Sequence, residues 1–182
     1  MFKCCKLKVN SNGAVNGIFL DKYGSRGTQK IKNMPSLSIP IEWSKGPLGT
    51  VSYAITLLDY DSFPVVGFPW VHWTICNIPS DVTVLSENSS RNMPILIEGV
   101  TSFSEDFIVS LSDIADFRVS HKNATGYGGF APSDKPHSYT IKVFALSSCL
   151  NLNRGFFYND LFKAMKGKVL GVGSFEAVYN NK

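Results

Sequence analysis

The chain has 182 residues, of which 44% are hydrophobic and 13% aromatic, and its net charge is +4 from 18 basic and 14 acidic residues. A chain of this length and composition can bury a sizeable core, so we expect one folded domain over residues 1–182 and exclude a disordered chain. The positive charge is not gathered into a dense stripe, which argues against nucleic acid as a partner. No window approaches the ~20 apolar residues of a membrane-spanning helix, so no membrane span is predicted.

Four cysteines stand at positions 4, 5, 76 and 149, without the CxxC spacing typical of metal or redox sites. Cys76 and Cys149 lie in or beside apolar runs and are predicted to be small buried hydrophobic residues. The N-terminal stretch MFKCCKLKVN lacks the long apolar segment of a secretion signal. These features predict a soluble cytoplasmic protein without a metal ion or another cofactor.

Apolar runs with the two-residue period of a β-strand recur along the chain, whereas helical periodicity is rare. Strands are predicted, in chain order, over residues 4–9, 51–59, 70–78, 95–98, 138–146 and 171–179. They do not alternate with helices, and prolines divide the first half of the chain into short pieces. This pattern predicts a mainly β fold, an antiparallel β-sandwich with one or two peripheral helices.

A helix is predicted over residues 159–166, followed by Gly167 in a position that suits the end of a helix. Its apolar face is predicted to consist of Leu161, Phe162 and Met165. A second, shorter helical segment is predicted over residues 110–118. It lies within a long mixed stretch, residues 99–125, which we expect to be a surface excursion with local structure.

Strand side chains alternate between two faces, so His137 and Tyr139 share a face with Ile141 and Val143, which marks that face as buried. Asp59 likewise continues an apolar row at the end of its strand. In the strand at 70–78, one face is predicted to carry Val71, Trp73 and Ile75, and the other Trp70, His72, Thr74 and Cys76.

The stretch GYGGFA at residues 126–131 matches the letters of a dinucleotide-binding fingerprint, G-x-G-x-x-A. That fingerprint requires a helix directly after it, and the following residues PSDKP cannot start one. The chain also lacks the nucleophile elbow of α/β-hydrolases and the phosphate-binding loop of nucleoside triphosphatases. The sequence therefore excludes these common enzyme signatures.

Three polar residues, Asp59, His72 and His137, stand at or near strand ends in aromatic-rich segments. Each has an ordinary explanation by itself, since a strand-end Asp is often a turn residue and a histidine in an aromatic strand is often only packed. Their joint occurrence favours a functional site over three unrelated packed residues, because two of only three histidines, His72 and His137, fall in these aromatic-rich segments. The third, His121, lies in the polar run RVSHKNATG and is predicted to be on the surface.

Three blocks, DYDSFP…WVHW, GYGGFAP…DKPHSY and GFFYNDLFKAMKG, resemble the phosphatidylethanolamine-binding protein (PEBP) family. The similarity covers nearly the whole chain and is greatest to the bacterial and archaeal branch, often called Raf-kinase-inhibitor-like. The resemblance implies two antiparallel sheets in a sandwich, with a small-anion pocket at one end. It also implies binding of phosphate or a phosphate head group, with a regulatory or inhibitor role as a further expectation.

Carried over residue by residue, the resemblance assigns the pocket to members of the first two blocks. The implied ligand-binding residues are Asp59, Asp61, His72, Gly128, Gly129, Pro132, His137 and Tyr139, with Trp70 and Phe130 at the pocket rim. The chain departs from the family pattern where Tyr60, Phe130 and Ser133 stand in place of prolines. These departures predict a pocket wall of different shape.

The chemistry of the implied residues predicts anion binding without a nucleophile. Asp59 would accept a ring N–H and favour an imidazolium, while the two histidines and Tyr139 would donate to an oxyanion. Backbone N–H groups at Gly128 and Gly129 would approach the ligand closely. We expect small oxyanions to bind about ten- to a hundredfold more tightly once a histidine is protonated at lower pH.

Two other classes of function stay open from the sequence. The same histidines and carboxylates could serve as general acid and base in a hydrolase-like enzyme, although no serine or cysteine stands visibly poised beside them. The resemblance also allows a regulator that inhibits a protein target, and the target is not named by any motif. A homodimer is expected, with added surface from Phe103, Phe107, Ile108 and Phe117.

Overall fold

The computed structural model describes residues 5–107 and 117–181 of the chain. Its strands are β1 (Cys5–Lys6), β2 (Val9–Asn10), β3 (Ala14–Val15), β4 (Ile18–Phe19), β5 (Lys30–Ile31), β6 (Met34–Pro35), β7 (Ile41–Trp43), β8 (Ser52–Asp59), β9 (Trp70–Pro79), β10 (Val84–Leu85), β11 (Ile97–Glu98), β12 (His137–Leu146) and β13 (Val169–Tyr179). Its helices are a 3-10 turn (Asp21–Tyr23), α1 (Phe63–Val66), α2 (Ser89–Asn92), α3 (His121–Ala124) and α4 (Tyr158–Met165).

The main sheet has the strand order β11-β9-β8-β12-β13-β4-β3, and β1 also pairs with β13. A smaller sheet has the order β10-β7-β2, and β5 and β6 form a separate pair. The predicted mainly β fold is confirmed. The main sheet is mixed, however, because β1 and β4 run parallel to β13 while the other pairings are antiparallel.

The core lies between the inner face of the main sheet and the small sheet. Strand β12 shows the alternation that the sequence predicted, since His137, Tyr139, Ile141 and Val143 are all buried and the residues between them are half-buried. These side chains meet a cluster from β7, β8 and β10 that includes Ile41, Trp43, Ile55, Leu57 and Leu85. The predicted alternation of buried and less buried residues along β12 is therefore confirmed, because one face of this strand lies against the core.

Strand β8 is buried on both faces, because the predicted helix near the C-terminus covers its outer side. In α4, Leu161 and Met165 pack into a second cluster with Ala54 of β8. Phe162 was predicted to share this apolar face, but it is exposed, because consecutive residues lie about 100° apart around a helix and Phe162 directly follows the buried Leu161. Gly167 follows the helix with φ of +75°, the left-handed conformation that glycine accepts readily.

Strand β9 contains a bulge at His72. Leu57 of β8 pairs with Trp73, but Leu58 pairs with Val71, so His72 is an additional residue between them. The bulge changes the side-chain alternation, and Trp70 and Trp73 therefore both face the interior. The predicted assignment of these two residues to opposite faces is wrong, because strict alternation holds only for an unbroken strand.

The predicted surface excursion at residues 99–125 is largely buried wherever the structure describes it. Val100, Phe103, Val119 and Ala124 belong to a third apolar cluster, which they form with Met34 and Trp70. Bridges between Val100 and Thr125 and between Ser104 and Val119 hold the segment together. The apolar residues of the segment thus extend the core beside the end of the main sheet. The helix predicted at 110–118 lies almost wholly outside the described residues.

Among the described residues, no helix has the length and apolar character needed to cross a membrane. Cys76 is buried in β9 as predicted, and burial raises the pKa of its thiol to about 12. Cys149 was also predicted to be buried, but it is exposed, because it follows the end of β12 in a surface turn. His121 is partly exposed as expected, and its Nδ1 lies 2.5 Å from Oδ2 of Asp106.

Candidate functional site

Six of the ten predicted site residues meet at one end of the main sheet, around a pocket of about 290 Å³. Strand β8 runs antiparallel to both β9 and β12, so its last residue lies beside the first residues of both neighbours. Asp59 is accordingly in register with Trp70 on one side and with Tyr139 on the other. The pocket walls include Asp59, Trp70, His72, Pro132, His137 and Tyr139.

His137 is held between two carboxylates, and only 3% of its side chain is exposed. Its Nδ1 lies 2.7 Å from Oδ2 of Asp59, and its Nε2 lies 2.8 Å from Oδ1 of Asp134. A carboxylate only accepts hydrogen bonds, so both ring nitrogens act as donors when both bonds are present. The geometry therefore fits an imidazolium at this position.

Asp134 directly follows the pocket-lining Ser133 in the loop that precedes β12, and 44% of its side chain is exposed. Partial desolvation raises the pKa of its carboxyl group. Hydrogen bonds from His137 and from the backbone amides of Lys135 and Asp134 lower that pKa by more, so the net pKa lies below the ordinary value of 3.8. Asp134 is therefore a carboxylate at neutral pH.

The carboxylates of Asp59, at the end of β8, and Asp61, in the loop that follows, each accept a hydrogen bond from a backbone amide. Oδ1 of Asp59 accepts from the backbone N–H of Ser62 at 3.1 Å, and the Ser62 hydroxyl accepts from the backbone N–H of Trp70 at 2.9 Å. Oδ2 of Asp61 accepts from the backbone N–H of Ser138 at 2.9 Å, which ties this loop to β12. Asp61 thus positions the start of β12, and it does not line the pocket.

His72 is fully enclosed, and its ring is surrounded by the aromatic rings of Phe103, Phe130 and Tyr139. Its Nδ1 lies 2.7 Å from the carbonyl oxygen of Gly128, so Nδ1 carries a proton. Burial lowers the pKa of His72 below the ordinary value of 6.5, although Asp59 and the backbone of Gly128 partly oppose this shift. At neutral pH the ring is neutral, and its Nε2 is an acceptor.

Two buried hydrogen-bond donors of the pocket wall have no hydrogen-bond partner in the part of the chain that the structure describes. They are the hydroxyl group of Tyr139 and Nε1 of Trp70. Burial and the nearby charge of Asp59 raise the pKa of Tyr139, so its hydroxyl stays protonated. Buried polar groups without partners are uncommon and costly, and such donors beside a pocket point to a ligand.

Three further residues that the sequence placed in the pocket, besides Asp61, have other positions. The backbone N–H of Gly128 donates to the carbonyl of His72, and that of Gly129 donates to the carbonyl of Pro35, so neither is free for a ligand. A Cβ at Gly129 would lie 2.2 Å from the carbonyl oxygen of Tyr23, which explains the glycine by close packing. Phe130 was expected at the rim, but it is fully buried beneath the pocket.

Among the residues that sequence reasoning missed are Phe103, which lines the pocket, and Asp134, which is bonded to His137 beside it. Phe103 packs edge-on against Trp70 with ring centroids 5.2 Å apart, and nothing in its local sequence indicates this position. Asp134 precedes His137 by three residues in a loop rich in proline, and that short spacing was the available signal. No group of three or more histidine, cysteine or acidic side chains suited to a metal occurs among the residues in the described ranges.

The fold and the pocket together define a class of protein: a mainly β protein with a largely apolar, aromatic-lined pocket at one end of its main sheet, into which a few polar side chains are set. The family model described as phosphatidylethanolamine-binding protein matches residues 10–180. The chain therefore belongs to the PEBP family, as the sequence blocks indicated.

Relatives and solved structures agree with this assignment. The uncharacterized protein YxkA of Bacillus subtilis is 38% identical over 159 residues, which cover 86% of this chain and 90% of the relative. A PEBP homologue from Chlamydia trachomatis has a similar structure, with a TM-score of 0.76 and 20% identity over 97% of this chain and 99% of its own. The Escherichia coli protein YbcL has a TM-score of 0.70 and 23% identity over 98% of this chain and 100% of its own. These two structural similarities establish the fold.

Proposed function

We propose that this protein binds small oxyanions, either inorganic phosphate or the phosphate of a head group, in the pocket at the end of the main sheet. The observation that carries the proposal is the pair of buried donors, Tyr139 Oη and Trp70 Nε1, beside the buried His137–Asp59 pair. A ligand oxygen would satisfy donors that the described part of the chain leaves without a partner. Membership of a family described as phosphatidylethanolamine-binding supports the same ligand chemistry.

The neutral His72 refines the expected ligand. Because Nε2 of His72 accepts a hydrogen bond, it would suit the P–OH group of a singly protonated phosphate, while Trp70 and Tyr139 would donate to the other oxygens. Sulfate carries no proton at neutral pH, so it would bind well only after His72 gains one. The expected rise in affinity at lower pH should therefore be steeper for sulfate than for phosphate.

NMR titration with sulfate and with inorganic phosphate tests the proposal. We expect chemical shifts to move at His72 and His137, with the affinity for sulfate rising as the pH falls below ~6.5, the ordinary pKa of histidine. The substitution His137→Asn keeps an N–H that can reach Asp59 but removes Nε2, so it should weaken binding at least about tenfold. The matched control His121→Asn changes a histidine on the surface and should leave binding unchanged.

Two results would contradict the proposal. Shifts that scatter over surface lysines, or that persist unchanged in His137→Asn, would mean that the imidazole is only packed at the strand end. Turnover of a chromogenic ester that is lost in His137→Asn would instead favour the hydrolase-like alternative. Against that alternative, neither His72 nor His137 is hydrogen-bonded to a serine, threonine or cysteine side chain in the described ranges of the chain.

Three further predictions from the sequence concern the location, the regulatory role and the oligomeric state of the protein. We retain the cytoplasmic location, a regulatory role through a protein target and a homodimer as predictions. The dimer has less support than the sequence suggested, because Phe103 is buried in the interior, Phe107 and Phe117 are half-buried and Ile108 lies outside the described residues. A sedimentation mass near that of the monomer, 20.1 kDa, at high protein concentration would contradict it.

A further inference from the structure

We infer that Asp134 is a built-in competitor of the ligand, because its carboxylate occupies the place on His137 Nε2 that a ligand oxyanion would take. This inference rests on the proposed function. The distance from Nε2 to Oδ1 of Asp134 is 2.8 Å. A single ring N–H is directed at one acceptor, so Asp134 and a ligand oxygen exclude each other at this nitrogen.

The two carboxylates that hold His137 differ in how firmly they are attached. Asp59 ends a strand that is buried along its whole length, its side chain is 5% exposed, and its second oxygen accepts from the backbone of Ser62. Asp134 is 44% exposed and stands in a loop without helix or strand, between Pro132 and Pro136. Among the described residues, its carboxylate is hydrogen-bonded to His137 and otherwise to local backbone amides alone. Asp134 can therefore leave the ring while Asp59 stays.

The charges favour exchange rather than joint binding. With the imidazolium counted as +1 and each carboxylate as −1, the trio of His137, Asp59 and Asp134 carries −1. An anion that approached this trio would meet a like charge, which is unfavourable in a partly dry pocket. After Asp134 turns outward, the remaining pair is neutral and its Nε2–H is free to donate.

The exchange also sets which anions the pocket accepts. An anion that binds only at Nε2, such as acetate, would gain nothing over the carboxylate already present. A tetrahedral oxyanion has further oxygens for Trp70 Nε1 and the Tyr139 hydroxyl, which lack partners in the described part of the chain. Asp134 thereby selects sulfate and phosphate over simple carboxylates.

The experiment compares sulfate and acetate binding in the wild type, Asp134→Asn and Asp134→Ala by NMR at constant pH and ionic strength. The matched control Asp81→Asn changes the net charge equally, but Asp81 is exposed beyond the far end of β9, about 30 Å from Trp70 along the strand. We expect both Asp134 variants to bind sulfate about fivefold more tightly, as the loss of an exposed charge contact predicts. We expect acetate to show no measurable binding to the wild type and to bind both Asp134 variants. The Asp81→Asn variant should bind both anions as the wild type does.

Each other outcome has a defined meaning. Equal gains in the Asp81 and Asp134 variants would overturn the inference, because the effect would be one of net charge. Weaker sulfate binding in both Asp134 variants would also overturn it, since Asp134 would then assist the ligand. If sulfate binding to the wild type survives His137→Asn, the proposed function itself fails. If His137→Asn abolishes binding and neither Asp134 variant changes it, only the competitor fails.

Discussion

Asp59 at the pocket and Glu98 in β11 are two buried carboxylates that each accept a hydrogen bond from an aromatic ring N–H. Asp59 Oδ2 lies 2.7 Å from His137 Nδ1, and Glu98 Oε1 lies 2.8 Å from Trp73 Nε1. The indole has no second nitrogen, and the other oxygen of Glu98 lies 2.7 Å from Arg154. The imidazole has a second nitrogen, which is bonded to the partly exposed carboxylate of Asp134. Glu98 is thus held by the protein at both oxygens, Oε1 by a hydrogen bond and Oε2 by an ion pair without hydrogen-bond geometry, whereas the Asp59 network has one bond that can be exchanged.

The network around Glu98 joins separate parts of the fold. Glu98 stands in β11, Trp73 in the adjacent β9 and Arg154 in the loop before α4. Burial raises the pKa of Glu98 above its ordinary value of 4.5, and hydrogen bonds from Ser90 and Trp73 oppose that shift. Its chemistry is therefore that of a structural clamp. The comparison teaches that burial and pairing alone do not identify a functional carboxylate, and that a second, exchangeable bond does.

The largest effect is expected from Glu98→Ala. It leaves the indole N–H of Trp73 and the guanidinium of Arg154 without their carboxylate, and loss of one partner of a buried pair costs about 3–5 kcal/mol in the free energy of unfolding. Urea denaturation measures this change. The exposed Glu105→Ala serves as control, with an expected change below about 0.5 kcal/mol. A loss as small as that of the control would show that Glu98 does not clamp the strands.

The substitution Asp59→Asn should lower the free energy of unfolding by less than Glu98→Ala does, but it should also weaken anion binding. The amide keeps an oxygen for the backbone of Ser62, but the imidazolium of His137 loses its charged partner, and sulfate affinity at neutral pH should fall about tenfold. Glu98→Gln, measured in the same NMR titration, should bind sulfate like the wild type. If Asp59→Asn and Glu98→Gln lost sulfate affinity equally, the pocket carboxylate would not differ in function from the buried carboxylate of β11.

The two regions should also give opposite pH dependences of stability. The folded pKa of His72 is lowered, so the unfolded chain binds the proton more tightly and the free energy of unfolding falls as pH drops below 6.5. This slope is at most about 1.4 kcal/mol per pH unit, and it should disappear in His72→Asn, which keeps a donor for Gly128. The folded pKa of Glu98 is raised, so its contribution to stability declines as pH rises above 4.5.

Denaturation curves between pH 4.5 and 7.5, within about one unit of the ordinary values of both groups, measure these slopes. His121→Asn is the control for the loss of a histidine on the surface and should keep the slope of the wild type. A slope that is unchanged in His72→Asn would contradict the buried, neutral state of this ring.

The smallest change in stability is expected from Tyr139→Phe. Its hydroxyl has no hydrogen-bond partner in the described part of the chain, so its removal should change the free energy of unfolding by less than about 0.5 kcal/mol. Phosphate affinity should nevertheless fall about fivefold, since a donor to the ligand is lost. Tyr127→Phe is the matched control, because its hydroxyl donates to the carbonyl of Tyr23 at 3.0 Å and its loss should cost about 1 kcal/mol. The reverse order of stabilities would mean that Tyr139 has a partner within the fold.

Much of the fold could be predicted because its signals are local. The burial pattern of β12 and the helix before Gly167 follow from the spacing of apolar residues, whereas the shared pocket of Asp59 and His137 was indicated by the family resemblance. The bulge at His72 could not be predicted, because it is defined by the pairing of β9 with β8 and no residue near His72 in the sequence is typical of a bulge. The burial of residues 99–125 and the clamp at Glu98 depend on contacts between distant segments, which a single sequence does not specify.

The bulge at His72 also determines how the chain tolerates changes in length. Trp70 points into the pocket and Trp73 into the core only because one extra residue stands between the paired positions of β9. A regular strand of these same four residues would turn one of the two indoles to the opposite face of the sheet, whereas deletion of His72 would leave Trp70 and Trp73 two positions apart and both on the inner face. Pocket and core thus share one strand through this extra residue, and its deletion would take the imidazole of His72 out of the pocket while both indoles keep their face.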